Sequence, residues 1–437
     1  MLSPTSLIVS AALTSERVGT DAAQGSVEIS KFLFSFAVDS DMKTPCQQSS
    51  RQQRAFMTSG EVCGQHYATR RPIQVRWRQG RITTLDPSVS SASPHVWLAP
   101  LLVDLQVNGY SGIDFQKDDL TADQLLHAAA KIREAGCARF LLTLITDEWS
   151  RLAARFAHLG KLRDQSAALR SAIAGWHIEG PFLSEEPGYR GAHDPRYMID
   201  PSPERIRALR AIAKSDPVLI TLAPERPGAI AAIALAVSLG MKVSLGHTNA
   251  SAEQLHQAVQ AGATGFTHLG NGCPRELNRH DNILWRVFET PGLTTSLIPD
   301  QVHVSPALFR TVHRLLNSES ICYTTDAMAA AGAGPGRYTI GHLNVEVGPD
   351  EVVRHPGQTN FAGSALRPIE GVFRAARMLQ RPWQEVWNHA SVLPARFMDL
   401  AEENLEVGQP ASFCVLEMGR DNQVTKLQVW LNGEQVL

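Results

Sequence analysis

Across 437 residues, 41 lysines and arginines oppose 43 aspartates and glutamates, leaving a formal net charge of -2. A chain this balanced lacks the basic stripe of a nucleic-acid binder, and none of its apolar runs reaches the roughly 18 residues of a membrane helix. The length suits one large domain plus a smaller one, and the six scattered cysteines read as reduced thiols of a cytoplasmic protein rather than a disulfide framework or a zinc ribbon.

Residues 2–13 are mildly apolar but lack a basic leader and a cleavage site, so they are not read as a signal peptide. The stretch from Ser40 to Gln53 is polar and reads as linker or disorder. Residues 1–56 are therefore expected to be a disordered tail or an over-extended start, with Met57 opening the folded part.

Residues 73–85 alternate apolar and polar side chains around Gln79-Gly80, a β-hairpin signal. Trp97–Asn108 follows as a strand region ending in Asp104-Leu-Gln-Val-Asn108. Thr121–Ala135 is an amphipathic helix with Thr121 as its N-cap. Short apolar strands are then expected at Arg139–Ile145, Ile173–Ile178, Val218–Leu222, Lys242–Leu245, Thr264–Thr267, Thr294–Ile298 and Ile321–Thr324. Helical stretches at Pro203–Ala213, Ala229–Leu239 and Ala252–Ala261 lie between several of them. Strand patterns return at Ser412–Leu416 and Lys426–Leu431, before an Asn432-Gly433 turn and a last short strand.

About eight strands alternating with helices predict an α/β chain with a (β/α)8 barrel over residues 101–394. The β-rich ends, 57–100 and 395–437, are expected to form one small β-sandwich domain. A doubly wound open sheet is the alternative, but no GxGxxG follows a first strand and no phosphate loop is present.

Four of the expected strands end on a group suited to chemistry: Glu179 in Trp176-His-Ile-Glu-Gly-Pro-Phe182, His247 in Ser244-Leu-Gly-His-Thr248, His268 in Thr267-His-Leu-Gly-Asn271, and Asp326 in Tyr323-Thr-Thr-Asp-Ala327. A lone histidine at a strand end is more often structural. A barrel, however, gathers its strand ends at one mouth. One carboxylate and two neutral imidazoles are the ligand set of a catalytic zinc with an open position for water. A separate carboxylate, Asp326, suits the proton transfers. The first strand carries Gln106-Val-Asn108 where many metal amidohydrolases carry His-x-His. Amides are poor ligands, so a single metal is expected, with Gln106 and Asn108 as strand-end hydrogen-bonding groups or a vestigial second site.

Three further segments read as substrate contacts. His193, in the loop after Glu179, can polarise a carbonyl oxygen, or make only a loop hydrogen bond. The turn His268–Pro274 offers backbone N–H groups to an anion, and Arg279, shortly after it in sequence, can clamp that anion bidentately, or is simply a solvated arginine. Phe361-Ala-Gly-Ser-Ala365 is a turn of small residues that lets a ligand approach the backbone, or an ordinary loop.

Taken together, His177-Ile-Glu-Gly-Pro181, Gly246-His-Thr-Asn-Ala250, Thr267-His-Leu-Gly-Asn271, Thr325-Asp-Ala327 and Gly363-Ser-Ala365 resemble the N-acetylglucosamine-6-phosphate deacetylases of the amidohydrolase superfamily. The resemblance runs from about Trp97 to about Gly408. It implies a barrel with a β-sandwich domain made from both ends, and one divalent metal ion on Glu179, His247 and His268. Zn2+ is expected, and Fe2+, Co2+ or Mn2+ are compatible. It implies Asp326 as acid and base, His193 and His303 facing the sugar and its acetamide, and Asn271, Gly272 and Arg279 holding a 6-phosphate. Ala192, Phe361, Ala362 and Gly363 would line the sugar. A small amino-sugar phosphate is then the ligand, and a homodimer is expected, in which Arg279 can come from the neighbouring subunit.

The segment Cys273–Asn282 departs from the family's commonest text, and Gly272 stands where alanine is frequent. Three alternatives stay open: a related N-acetyl hexosamine as substrate (the galacto epimer or an unphosphorylated sugar), a cyclic-amide hydrolase, and a catalytically silent sugar-phosphate-binding protein.

Overall fold

The computed structural model describes residues 59–87, 93–357, 361–421 and 423–437. The expected N-terminal tail, residues 1–56, lies outside them. Among the described residues, eight parallel strands form one sheet: Leu102–Val107, Cys137–Ile145, Ile173–Glu179, Val218–Leu222, Lys242–Leu245, Gly265–Phe266, Thr294–Leu297 and Ile321–Tyr323. Each strand pairs with the next one in sequence. A doubly wound sheet would reverse direction partway, and this one does not. Val107 bridges Ala327, just past the eighth strand, and the Asn108 N–H donates to the Ala327 carbonyl at 2.7 Å, so the first and last strands meet and the barrel closes.

Parallel strands covered on both faces read as continuous apolar runs, and Leu102–Val107 and Val218–Leu222 are buried at every position. The interior is not wholly apolar. His177 Nδ1 lies 3.0 Å from the Leu105 carbonyl and its Nε2 2.7 Å from Thr221 Oγ1. Thr221 joins Thr267, and Thr267 joins Ser244, each pair of hydroxyls 2.7 Å apart. A layer of hydrogen-bonded side chains thus ties five strands together beneath the mouth.

The expected helix after the first strand spans Ala122–Glu134, with Thr121 and Gln124 forming a reciprocal capping box. Pro203–Ala213 starts on a Ser202 cap with proline in its first turn, and Ala252–Gln260 on a Ser251–Gln254 box. Among the described residues no helix is long and apolar enough to cross a membrane.

The strand region expected at Trp97–Asn108 is two strands in different sheets. Val96–Pro100 joins the terminal sheet and Leu102–Val107 the barrel, with the change at Leu101. Both halves are apolar and extended, so their periodicity could not show the switch.

The two ends of the described chain build one seven-stranded sheet, ordered Glu434–Gln435, Val424–Leu431, Phe413–Met418, Val96–Pro100, Gly60–His66, Pro72–Arg78 and Arg81–Pro87. It curls until its ends approach: the Ala411 N–H donates to the Gly80 carbonyl, and the Gly433 N–H to the Ala411 carbonyl, both at 2.8 Å. Inside the curl the Trp77 ring packs edge-on against Trp430 and Phe413. The sequence reading did not anticipate a three-stranded excursion, Gly336–Ile340, Leu343–Val347 and Val353–Arg354, which packs on Met328–Ala330 and Ala362 beside the mouth.

Candidate functional site

The carboxyl ends of the third, fifth, sixth and eighth barrel strands deliver Glu179, His247, His268 and Asp326. Glu179 is the last residue of its strand and is buried. Its Oε1 lies 2.9 Å from His268 Nε2 and 3.3 Å from His247 Nε2. His193, from the loop that follows, brings its Nε2 to 3.8 Å from Glu179 Oε2. Its ring centroid is 4.5 Å from that of His247, which is 4.9 Å from that of His268.

The geometry suits a cation. The His247 Nδ1 contacts the Tyr189 carbonyl at 2.9 Å. A carbonyl only accepts, so Nδ1 carries a hydrogen, which leaves Nε2 as the ring atom that would meet a cation beside Glu179. Burial opposes charge on Glu179, but hydrogen bonds from His247 and His268 and the nearby His193 hold its pKa well below the ordinary carboxylate range. A permanently ionised carboxylate among imidazoles is a donor set for zinc and similar ions. Ligand atoms of Glu179, His193 and His247 all lie within 4.8 Å of one another, which adds His193 to the ligands expected from sequence. His268 stands outside that trio but meets the same carboxylate, its Nε2 2.9 Å from Glu179 Oε1.

His193 is tied on its other side by Thr146 Oγ1, 2.9 Å from Nδ1. Burial, then the neighbouring His247, push its pKa down to about 3, so the ring is neutral at ordinary pH.

Gln106 and Asn108 serve the two carboxylates. Gln106 Nε2 donates to Glu179 Oε1 at 2.9 Å, and Asn108 Nδ2 to Asp326 Oδ1 at 2.6 Å. Burial and the negative charge of Glu179 raise the pKa of Asp326 to about 7. His303 hydrogen-bonds Asp300 through Nδ1 at 2.6 Å. Burial opposes its protonation, yet Asp300 and the nearby Asp326 raise its pKa overall.

His247, His268 and Asp326 all adopt left-handed backbone, with φ of 51°, 33° and 51°, at a cost of about 1–3 kcal/mol each. Neighbours hold each one. Glu225 accepts from the Asn249 N–H and the Thr248 hydroxyl. The His268 N–H donates to Ser296 Oγ at 2.7 Å. The Ser364 N–H donates to the Asp326 carbonyl at 2.9 Å.

Two glycines clasp the His247 ring. A Cβ on Gly191 would stand 2.8 Å from Cε1, and one on Gly272 would stand 2.8 Å from Nδ1. Gly272, expected at the phosphate, therefore packs on an imidazole. Similarly, Ala362 is buried in the apolar cluster beside the mouth, Ala192 packs against it, and a Cβ on Gly363 would approach the Asp326 carbonyl at 3.2 Å. The Phe361 ring lies 5.2 Å from that of His303 and is 38% exposed. The Asn271 N–H donates to the His268 carbonyl at 2.9 Å. Arg279 is exposed and makes no ion pair among the described residues, and its carbonyl accepts from Trp285 Nε1.

The sequence reading missed Thr146, Glu225, Asp300 and Asp104. Asp104 had a signal: it opens the same short polar-studded segment as Gln106 and Asn108, two and four residues on.

No family model matches the chain. Curated relatives do. An N-acetylglucosamine-6-phosphate deacetylase of Danio rerio is 32% identical over 359 residues, 78% of this chain and 84% of the relative. One from Vibrio furnissii is 29% identical over 83% of this chain and 92% of its own length. An N-acetylgalactosamine-6-phosphate deacetylase of Escherichia coli O157:H7 is 29% identical over 83% of this chain and 94% of its own. Among solved structures, a mutant N-acetyl-D-glucosamine-6-phosphate deacetylase from Mycobacterium smegmatis, in complex with N-acetyl-D-glucosamine-6-phosphate, superposes with a TM-score of 0.78 at 29% identity. The match covers 87% of this chain and 100% of that one. With sequence and barrel fold both in agreement with these relatives, the chain belongs to the N-acetylglucosamine-6-phosphate deacetylase family of the amidohydrolase superfamily.

Proposed function

We propose that this protein hydrolyses the acetamide of N-acetyl-D-glucosamine 6-phosphate, giving glucosamine 6-phosphate and acetate. The observation that carries the reading is the meeting of His247 and His268 on one oxygen of Glu179, with Asp326 held apart on Asn108. Glu179, His247 and His268 would hold one divalent cation, which we assign as Zn2+, with Fe2+, Co2+ and Mn2+ compatible. When bound, the cation supplies Lewis-acid activation of water and of the acetamide carbonyl.

Asp326 takes one proton from the attacking water, then delivers it to the departing nitrogen as the C–N bond breaks. His193, neutral and steadied by Thr146, turns Nε2–H toward the oxygen that gains negative charge. His303, whose Nδ1 is fixed by Asp300, faces the sugar. Gln106 and Asn108 orient the two carboxylates through their amide N–H groups.

Asn271, Gly272 and Arg279 would meet the phosphate, and Ala192, Phe361, Ala362 and Gly363 the sugar. Arg279 lies beside Trp285, an aromatic side chain 45% exposed. A second copy covering that face suits both residues, so a homodimer is part of the reading. A phosphorylated substrate does not cross membranes unaided and stays where it is made, which supports a cytoplasmic reaction.

The Escherichia coli relative supports one second reading, the galacto epimer as substrate. Acetate release measured with both 6-phosphates and both unphosphorylated sugars separates the readings. The highest kcat/KM is expected with N-acetylglucosamine 6-phosphate. A preference for the galacto epimer would move the assignment to that sugar, and no release from any of the four would remove the enzyme reading.

A further inference from the structure

Asp104 is a buried carboxylate for which the chemistry above finds no use. It sits on the first barrel strand, and its neighbours in space come from the far end of the barrel sequence. Its Oδ1 accepts from the Thr324 hydroxyl at 2.5 Å and from the Gln106 N–H at 3.1 Å. Its Oδ2 accepts from the Thr325 hydroxyl at 2.5 Å, and the Thr325 N–H lies 3.2 Å from both oxygens. Two hydroxyls and two amide N–H groups converge on one side chain. An ionised carboxylate is acceptor-only and has lone pairs for all of them; an amide of the same shape would turn a donor toward some of these donors.

What Asp104 holds is the approach to Asp326. The Thr325 hydroxyl also accepts from the Ala327 N–H at 3.1 Å. The peptide unit that follows Asp326 is therefore tied to the hydroxyl of the residue before it, and that hydroxyl is tied to Asp104. From the outside, Ser364 Oγ donates to the Thr325 carbonyl at 2.5 Å. Asp326 itself sits at φ 51°, a setting that aspartate tolerates better than most residues but less freely than glycine. The hydrogen bonds around it brace that setting on both sides.

Resting on the assignment of Asp326 as proton carrier, we propose that Asp104 is a positioning residue: through Thr325 it fixes the left-handed setting of Asp326 and with it the reach of the catalytic carboxylate. A positional error of about 1 Å at a reacting group costs on the order of 100-fold in rate.

The test compares Thr325→Val, Thr325→Ser and Asp104→Asn with the unaltered enzyme, with Asp326→Asn in parallel. Valine keeps the branched shape of threonine and removes the hydroxyl; serine keeps the hydroxyl. In Thr325→Val and Asp104→Asn, kcat is expected to fall at least tenfold, with KM and bound metal each within twofold of the starting enzyme. Thr325→Ser is expected to restore kcat to within about threefold. Should Asp104→Asn fail to fold, the valine and serine pair decides the question alone. Unchanged kcat in a folded Thr325→Val protein, alongside an inactive Asp326→Asn, overturns the positioning role. A parallel loss of metal or a rise in KM in Thr325→Val also overturns it, since the fault would then lie in the site at large. Activity in Asp326→Asn overturns instead the assignment on which the proposal rests.

Discussion

The hairpin turns of the terminal sheet put Gln79 and Asn432 at φ 52° and 50°, each followed by a glycine, while the barrel mouth puts His247, His268 and Asp326 at 51°, 33° and 51°. In the sheet, Gln-Gly and Asn-Gly mark turns whose paired positive φ values match the twist of flanking strands. There the following glycine completes the turn, and Ala411 and Ser412 brace the turns through backbone and hydroxyl hydrogen bonds that serve only the sheet. At the mouth, two imidazoles and a β-carboxylate occupy left-handed backbone that costs even these comparatively tolerant residues some energy, and hydroxyls, carboxylates and glycines from distant strands hold them there. Conflict between local preference and global structure is expected where a residue is selected for chemistry. The two regions of left-handed backbone thus separate folding from function.

The largest effect expected from breaking the comparison is at the mouth. Asp326→Asn keeps size and backbone but removes the base; kcat is expected to fall by about 10²–10⁴, with metal still bound, as steady-state rates and metal analysis will show. Glu179→Gln removes the charge that gathers the imidazoles, so both activity and bound metal should disappear together.

Next come the glycines. Gly191→Ala places a Cβ 2.8 Å from the His247 ring at φ 57°. Metal affinity should drop about 10-fold, the scale seen when a ligand's support is disturbed. Gly80→Ala creates a comparable intrusion in the terminal sheet, 2.6 Å from the Asn432 carbonyl at φ 71°. Unfolding is expected about 1–3 kcal/mol easier there, with kcat and metal content unchanged. Equal loss of activity in both variants would dissolve the distinction between the regions.

A smaller effect concerns pH. Asp326 must be ionised to accept a proton, so kcat/KM falls on acidification. Its pKa of about 7 reflects burial and the charge of Glu179. A cation on Glu179 cancels the second cause, so the acid limb of the loaded enzyme should lie below 7. An acid limb above 7 in the pH–rate profile would be inconsistent with this. The smallest expected effect is Thr121→Ala, which removes one helix cap. It should cost about 1 kcal/mol of stability and nothing in rate.

Much of this was legible in the sequence because apolar runs and caps are local signals. The helix capped by Thr121 and the strand Val218–Leu222 stand where periodicity put them. Glu179, His247, His268 and Asp326 could be picked out because each ends such a run. The break at Leu101 was not legible, since a strand changes sheets without changing its pattern. Nor was the excursion at 336–354, whose short strands pack on a patch made by Met328 and Ala362 rather than on a barrel face. Asp104, Thr146 and Glu225 escaped for another reason: each acts on residues more than twenty positions away, and single-sequence patterns carry no such pairing. The packing of Gly272 against the His247 imidazole was likewise invisible, being a contact between residues distant in sequence.

The most direct test is a titration of chelated, inactive protein with Zn2+, following acetate release from N-acetylglucosamine 6-phosphate. Activity should rise linearly and saturate at one equivalent per chain. Saturation only at two equivalents, or full activity before any ion is added, would contradict a single centre built by Glu179, His247 and His268.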